Sequence, residues 1–155
     1  MFCDTLEEWK NPSCYKDVQR DGRNNAECML NRIIQTDKAP AALGPYSQAV
    51  QCGDLIFTAG QLGIDPDTGA LVSGGIRNET KQILNNISNI LEAAGTGVHS
   101  LVKVSVFLTD LSDFAAFNEV YETFLDGIKP ARTTVGVDAL PAGACVEIEA
   151  VASRF

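Results

Sequence analysis

Several familiar kinds of chemistry lack their residues in this sequence. There is one histidine, His99, and no Cys-x-x-Cys pair among the five cysteines. A Cys/His zinc site therefore has no ligand set of usual spacing. Ser-His-Asp chemistry would have to rest on His99, which sits in the Gly95-Thr96-Gly97-Val98 loop and reads as a surface residue. Gly95-x-Gly97 lacks a third glycine and follows a helix rather than a strand, and no Walker loop occurs, so phosphate-cradling motifs are missing. Basic residues are scarce: 12 Lys and Arg stand against 20 Asp and Glu, a net charge of −8. General nucleic-acid binding needs clustered cations, and this balance counts against it. No apolar run approaches the roughly 18 residues that a membrane-spanning helix requires.

What is present is an ordinary domain. The 155 residues are 45% hydrophobic and 21% charged, which predicts one domain with a tail. Residues 1–31 have few aliphatics, no apolar h-region, and acids mixed with bases, so neither a secretory signal nor a presequence fits. They read as an appended, weakly ordered tail ahead of a domain at 32–155. Three cysteines, Cys3, Cys14 and Cys28, fall in this tail, ahead of Cys52 and Cys145. The odd count reads as free thiols in a reducing compartment, with a disulfide within the tail as the alternative. The expected compartment is the cytosol, with the mitochondrial matrix as second choice.

The domain alternates strands and helices. Strands are predicted at 32–36, 46–51 and 55–59, the last two joined by a turn at Cys52-Gly53-Asp54. A turn at 65–69 leads to a short strand at Leu71. Ile76, Ile83, Leu84, Ile87, Ile90, Leu91 and Ala94 share one helical face, and Gly95 closes that helix. A strand at 101–109 places Val102, Val104, Val106 and Leu108 on one side. Ser112 is the expected cap of a second helix presenting Phe114, Phe117, Val120, Tyr121, Phe124 and Leu125. Two last strands, 133–138 and 145–153, flank Leu140-Pro141-Ala142-Gly143 and are expected to form a hairpin. The order predicts an α+β fold: a mixed sheet with two helices packed on one face. The other face carries Glu147, Glu149 and Val151, with Phe57 and Phe107 assigned to the same side. A half-apolar face left uncovered is an association surface, so a homo-oligomer is expected.

Three features carry possible chemistry. Arg132 follows Pro130 at a strand start and can offer a carboxylate two parallel hydrogen bonds. Glu147 and Glu149 share a strand face about 7 Å apart, and paired carboxylates divide acid and base work when their environments differ. Tyr46 places a phenol beside the constrained Gly44-Pro45 backbone. Read alone, a strand-end arginine is more often a solvated charge, such glutamates a solvated edge, and the tyrosine a packing residue.

Five motifs occur in one order: Gly44-Pro45-Tyr46-Ser47-Gln48-Ala49, Thr58-Ala59-Gly60-Gln61, Pro130-Ala131-Arg132-Thr133, Leu140-Pro141-Ala142-Gly143 and Val146-Glu147-Ile148-Glu149-Ala150. In this order and spacing the chain resembles the RidA/YjgF family of imine deaminases, over residues 32–155. The resemblance implies a chorismate-mutase-like fold and a homotrimer with sites in the clefts between subunits. It implies hydrolysis of 2-imino acids and their enamine tautomers, such as 2-iminobutanoate and 2-iminopropanoate, to 2-oxo acids and ammonia. No cofactor or metal is implied. The substrates are those released by pyridoxal-phosphate-dependent dehydratases. By matching position, Arg132 resembles the carboxylate-binding arginine, Glu147 the acid that handles water, and Tyr46 the pocket tyrosine. Gly60 matches the backbone position approached by substrate, and Asn118 an asparagine near the cleft. Ala59 stands where many members have serine and Thr134 where many have cysteine, and both changes bear on substrate preference. The resemblance also leaves two alternatives: a ribonuclease or translation inhibitor, whose activity should fall steeply with salt, and a non-catalytic metabolite-binding or chaperone-like trimer.

Overall fold

The computed structural model describes residues 31–154. The expected tail and its three cysteines lie outside this range, apart from Asn31. Six strands form one sheet: β1 (Arg32–Ile34), β2 (Ala49–Cys52), β3 (Leu55–Thr58), β4 (Leu101–Leu108), β5 (Ala131–Gly136) and β6 (Val146–Ser153), in the spatial order β1-β2-β3-β6-β4-β5. Only β4 and β5 pair in parallel. Two helices, α1 (Gly75–Ala93) and α2 (Phe114–Leu125), complete the expected α+β architecture.

The core lies between the helices and one sheet face. Ile83, Leu84, Ile87, Ile90 and Leu91 of α1 are buried against Val104, Val106 and Leu108 of β4 and Val146, Ile148 and Ala150 of β6. Each Ile, Leu or Val side chain among them contributes about 1.5–3 kcal/mol on leaving water. α1 stops where the periodic stripe stops. Gly95 takes φ 87°, while Thr96 N–H donates to the Leu91 carbonyl and Gly95 N–H to that of Glu92, a Schellman closure.

Five expectations are corrected. The strand at Leu71 is a single bridge to Ile64. Val102 is 48% exposed, because Leu101 opposes Ala152 while Lys103 opposes Val151. The extra residue is a β-bulge, which turns Val102 outward and resets the alternation. Asp110, not Ser112, supplies the helical cap: its carboxylate accepts from Ser112 N–H and orders the 3-10 turn Leu111–Asp113 that leads into α2. The last two strands form no hairpin. The α2 crossover returns β5 parallel to β4 at the sheet edge, and β6 inserts between β3 and β4. The first strand also ends early, since Gln48 Oε1 takes the Thr36 N–H that a longer ladder would use.

The second sheet face is uncovered by helix. Ile33, Val50, Phe57, Val151, Lys103 and Ala131 follow one another across it in register. Phe57 is 44% exposed and Ile33 66%. Phe107 opposes Glu147 on the same side, as expected. Among the described residues no helix is long and apolar enough to cross a membrane.

Candidate active site

The candidate residues fall into two groups. The first surrounds Arg132. Its partner across the ladder, Val104, faces the helices, and Arg132 faces them too. Its guanidinium carbon lies 4.8 Å from the Tyr121 ring centroid, 5.5 Å from Phe114 and 5.6 Å from Phe117. Cation–ring attraction of this kind is worth about 0.5–2 kcal/mol per contact. Arg132 Nη1 donates to Asn118 Oδ1 at 2.7 Å. The rings recur at three and four residues along α2, so two helical turns build the wall and Asn118 projects beside it. Burial pushes the Tyr121 phenol up, and the nearby guanidinium partly offsets this.

The second group surrounds Glu147. Its carboxylate rests against Gly60, where a Cβ would overlap Oε1. A two-way bridge fixes this approach: Gln61 N–H donates to the Ile148 carbonyl at 2.8 Å, and Ile148 N–H returns to the Gln61 carbonyl at 3.1 Å. Burial raises the Glu147 carboxyl, and Glu149 on the same face raises it further. The expected shared face of the two glutamates is what the structure shows. Ala59 N–H donates to the Gln48 carbonyl, which continues the β2–β3 ladder and brings the Tyr46 loop toward this end of the sheet. Tyr46 is 56% exposed, and its hydroxyl accepts from Leu43 N–H.

A single chain does not bring the two groups together. Arg132 stands level with Val104 and Ala150, whereas Glu147 stands level with Phe107. By strand geometry they are about 10 Å apart along the strands and about 10 Å across them. They also occupy opposite sheet faces. Thr134 shares the helix-facing side with Arg132, and its buried hydroxyl has no hydrogen-bond partner. The hydroxyl oxygen is thus turned inward while the residue as a whole is half-buried, and sequence position alone gave no sign of this.

The sequence reading missed the role of the aromatic wall. Phe114, Phe117 and Tyr121 were assigned to packing, yet they also hold the guanidinium. Their spacing opposite a strand bearing an unpaired arginine is the signal that was available. His99 stays apart from both groups, in the 3-10 turn Val98–Ser100. Burial raises the Cys145 thiol, and hydrogen bonding to Glu79 adds to this, which disfavours the thiolate. Among the described residues no group of three His, Cys, Asp or Glu side chains is placed to hold a metal ion.

The model of the family described as endoribonuclease L-PSP matches residues 36–154. The chain belongs to this family. The mouse 2-iminobutanoate/2-iminopropanoate deaminase is 50% identical over 124 residues, covering 80% of this chain and 92% of its own length. A RutC family protein of Pyrococcus abyssi is 49% identical over 126 residues, covering 81% of this chain and 99% of its own. The crystal structure of Escherichia coli TdcF with bound serine superposes with a TM-score of 0.77 at 42% identity, covering 80% of this chain and 99% of TdcF. The family that the five motifs pointed to is thus established by comparison of the whole domain.

Proposed function

We propose that this L-PSP family member hydrolyses 2-imino acids, 2-iminobutanoate and 2-iminopropanoate among them, to 2-oxo acids and ammonia. Residues 32–155 form the catalytic unit, which works without a cofactor as a chorismate-mutase-like homotrimer with its sites between subunits. One observation carries the reading. A guanidinium boxed by rings and an amide, and a half-buried carboxylate seated against Gly60, are each positioned within the chain, yet they stand on opposite sheet faces. The face that bears Glu147 is uncovered and also carries Ile33, Phe57 and Val135, which another subunit would bury. Packing these faces together lets the arginine edge of one subunit meet the carboxylate of the next.

In that cleft Arg132 clamps the substrate carboxylate and fixes the imine carbon. Gly60 lets the substrate reach the backbone, with Ala59, Thr134 and Tyr46 around it and Asn118 steadying the arginine. Glu147 takes a proton from water as the oxygen attacks the protonated imine carbon. It then gives that proton to nitrogen, the carbon–nitrogen bond breaks and ammonia leaves, while the carbinol hydroxyl returns its proton to Glu147 as it becomes the carbonyl of the 2-oxo acid. That proton passes on to ammonia as ammonium. A carboxyl raised by its surroundings suits both halves of this exchange. Deaminase activity in relatives about 50% identical, and serine held by TdcF, support a small carboxylate-bearing substrate. The net charge of −8 disfavours the ribonuclease reading. The setting proposed is the cytosol, on the odd cysteine count of the sequence.

The test couples a pyridoxal-phosphate-dependent threonine or serine dehydratase to this protein and follows 2-oxo acid formation. Wild type should accelerate it with weak salt dependence, and Arg132→Ala should not. Sedimentation should give a trimer for wild type and smaller species for Phe57→Asp, which places a charge on the uncovered face. A monomeric, active wild type overturns the assembly.

A further inference from the structure

α1 carries a buried acidic side chain that the mechanism above does not use. Glu79 is 3% exposed and lies on the helix face that otherwise holds Ile76, Thr80 and Ile83. Among the described residues it is in no ion pair, since the one such pair is Arg77–Glu119. A buried carboxyl without a cation needs hydrogen-bond donors. Glu79 Oε2 finds one in Cys145 N–H at 2.7 Å, immediately ahead of β6 and two residues before Glu147. The other side of Cys145 is held as well, because its carbonyl accepts from Thr109 N–H at 3.1 Å.

The same side chain braces the second segment of the carboxylate group. Gly63 packs so closely on α1 that a Cβ there would stand 2.7 Å from Glu79 Cα and 2.9 Å from its Cβ and Cγ. Gly63 lies three residues after Gly60, and Cys145 two before Glu147. These two stretches are otherwise joined by the Gln61–Ile148 bridge. They thus touch one another at the bridge and both touch Glu79 beyond it. The result is a triangle that sets how closely Gly60 and Glu147 approach.

We propose that Glu79 is a positioning residue for Glu147. It fixes the start of β6 against the 60–63 segment, and so places the carboxylate that handles water. This inference rests on the deaminase reading above. Supporting residues of this kind act through geometry, and a misplacement on the order of 1 Å near reacting atoms can cost 100-fold.

The experiment compares Glu79→Gln, Glu79→Asp and Glu79→Leu in the full chain. Turnover of 2-imino acid generated in solution is read alongside amide exchange at Cys145. Glutamine keeps an oxygen at the same reach and should retain kcat and slow exchange. Aspartate is one methylene short, so kcat should fall about tenfold with KM unchanged, and Cys145 exchange should quicken. Leucine should resemble aspartate, and if it does not fold, the contrast of aspartate with glutamine decides. Wild-type kcat in Glu79→Asp overturns the proposal, as does a loss in Glu79→Gln equal to that in Glu79→Asp, or a change confined to KM. Wild type that forms no 2-oxo acid, or Glu147→Gln that matches wild type, brings down the deaminase reading instead.

Discussion

Arg132 is held by what surrounds it, and Glu147 by what is missing beside it. Three rings and an amide on α2 box the guanidinium. The carboxylate instead sits where Gly60 has no side chain. The first arrangement spreads orientation over several contacts, each of modest strength. The second concentrates it in one close approach. A side chain can be trimmed from the arginine's box with small loss, whereas a single methyl group disrupts the glutamate's seat.

The largest effect expected is on the arginine itself. Arg132→Ala removes two charge-assisted hydrogen bonds, about 3–4 kcal/mol or 100- to 1000-fold in kcat/KM. The coupled dehydratase assay reads this, and circular dichroism should show an intact fold. Gly60→Ala comes next. The added Cβ meets the far end of a flexible side chain, so the fold should survive while the carboxylate is pushed aside. A fall in kcat of about 100-fold is expected, matching the loss of a general acid–base group. If Gly60→Ala is fully active, the close-packed seat is irrelevant to turnover. Phe114→Ala should be far milder. It removes one partly exposed wall of the box, about 0.5–1 kcal/mol, and should raise KM about threefold with kcat retained. A loss as large as that of Arg132→Ala would break the contrast between the two seats.

The smallest effect concerns stability. The raised Glu147 carboxyl binds its proton more tightly in the folded protein than in the unfolded chain. Its ionisation therefore costs stability as pH rises from the ordinary glutamate range through the folded value, and costs nothing below that range. Glu147→Gln should melt slightly above wild type near neutral pH, with the difference vanishing in acid. Thermal melts across pH measure this, and an unchanged difference at all pH values would show the carboxyl is not strained by its surroundings.

Much of the sheet and both helices were legible from local pattern. The stripe from Ile76 to Ala94, the turn at Gly53 and the alternation of β6 each depend on near neighbours in sequence. Ser112 and the 145–153 hairpin were misread because those assignments rested on adjacency alone. A side chain two residues away captured the Ser112 N–H, and the α2 crossover carried β5 to the far side of β4. The site divides in the same way. Arg132, Glu147 and Gly60 stand out as candidates by motif, whereas the ring wall and the contacts of Glu79 join residues distant in the chain.

The sequence by itself determined the family, the α+β pattern and the presence of an arginine and two glutamates on late strands, because periodicity and motif order are written in neighbouring residues. Only the tertiary structure decided that Arg132 faces the helices, that Glu147 faces the uncovered side, and that the Thr134 hydroxyl turns inward. Those outcomes follow from strand order and register. Shifting a strand's register by one residue exchanges its faces, while strand order sets its neighbours, and long-range packing decides both.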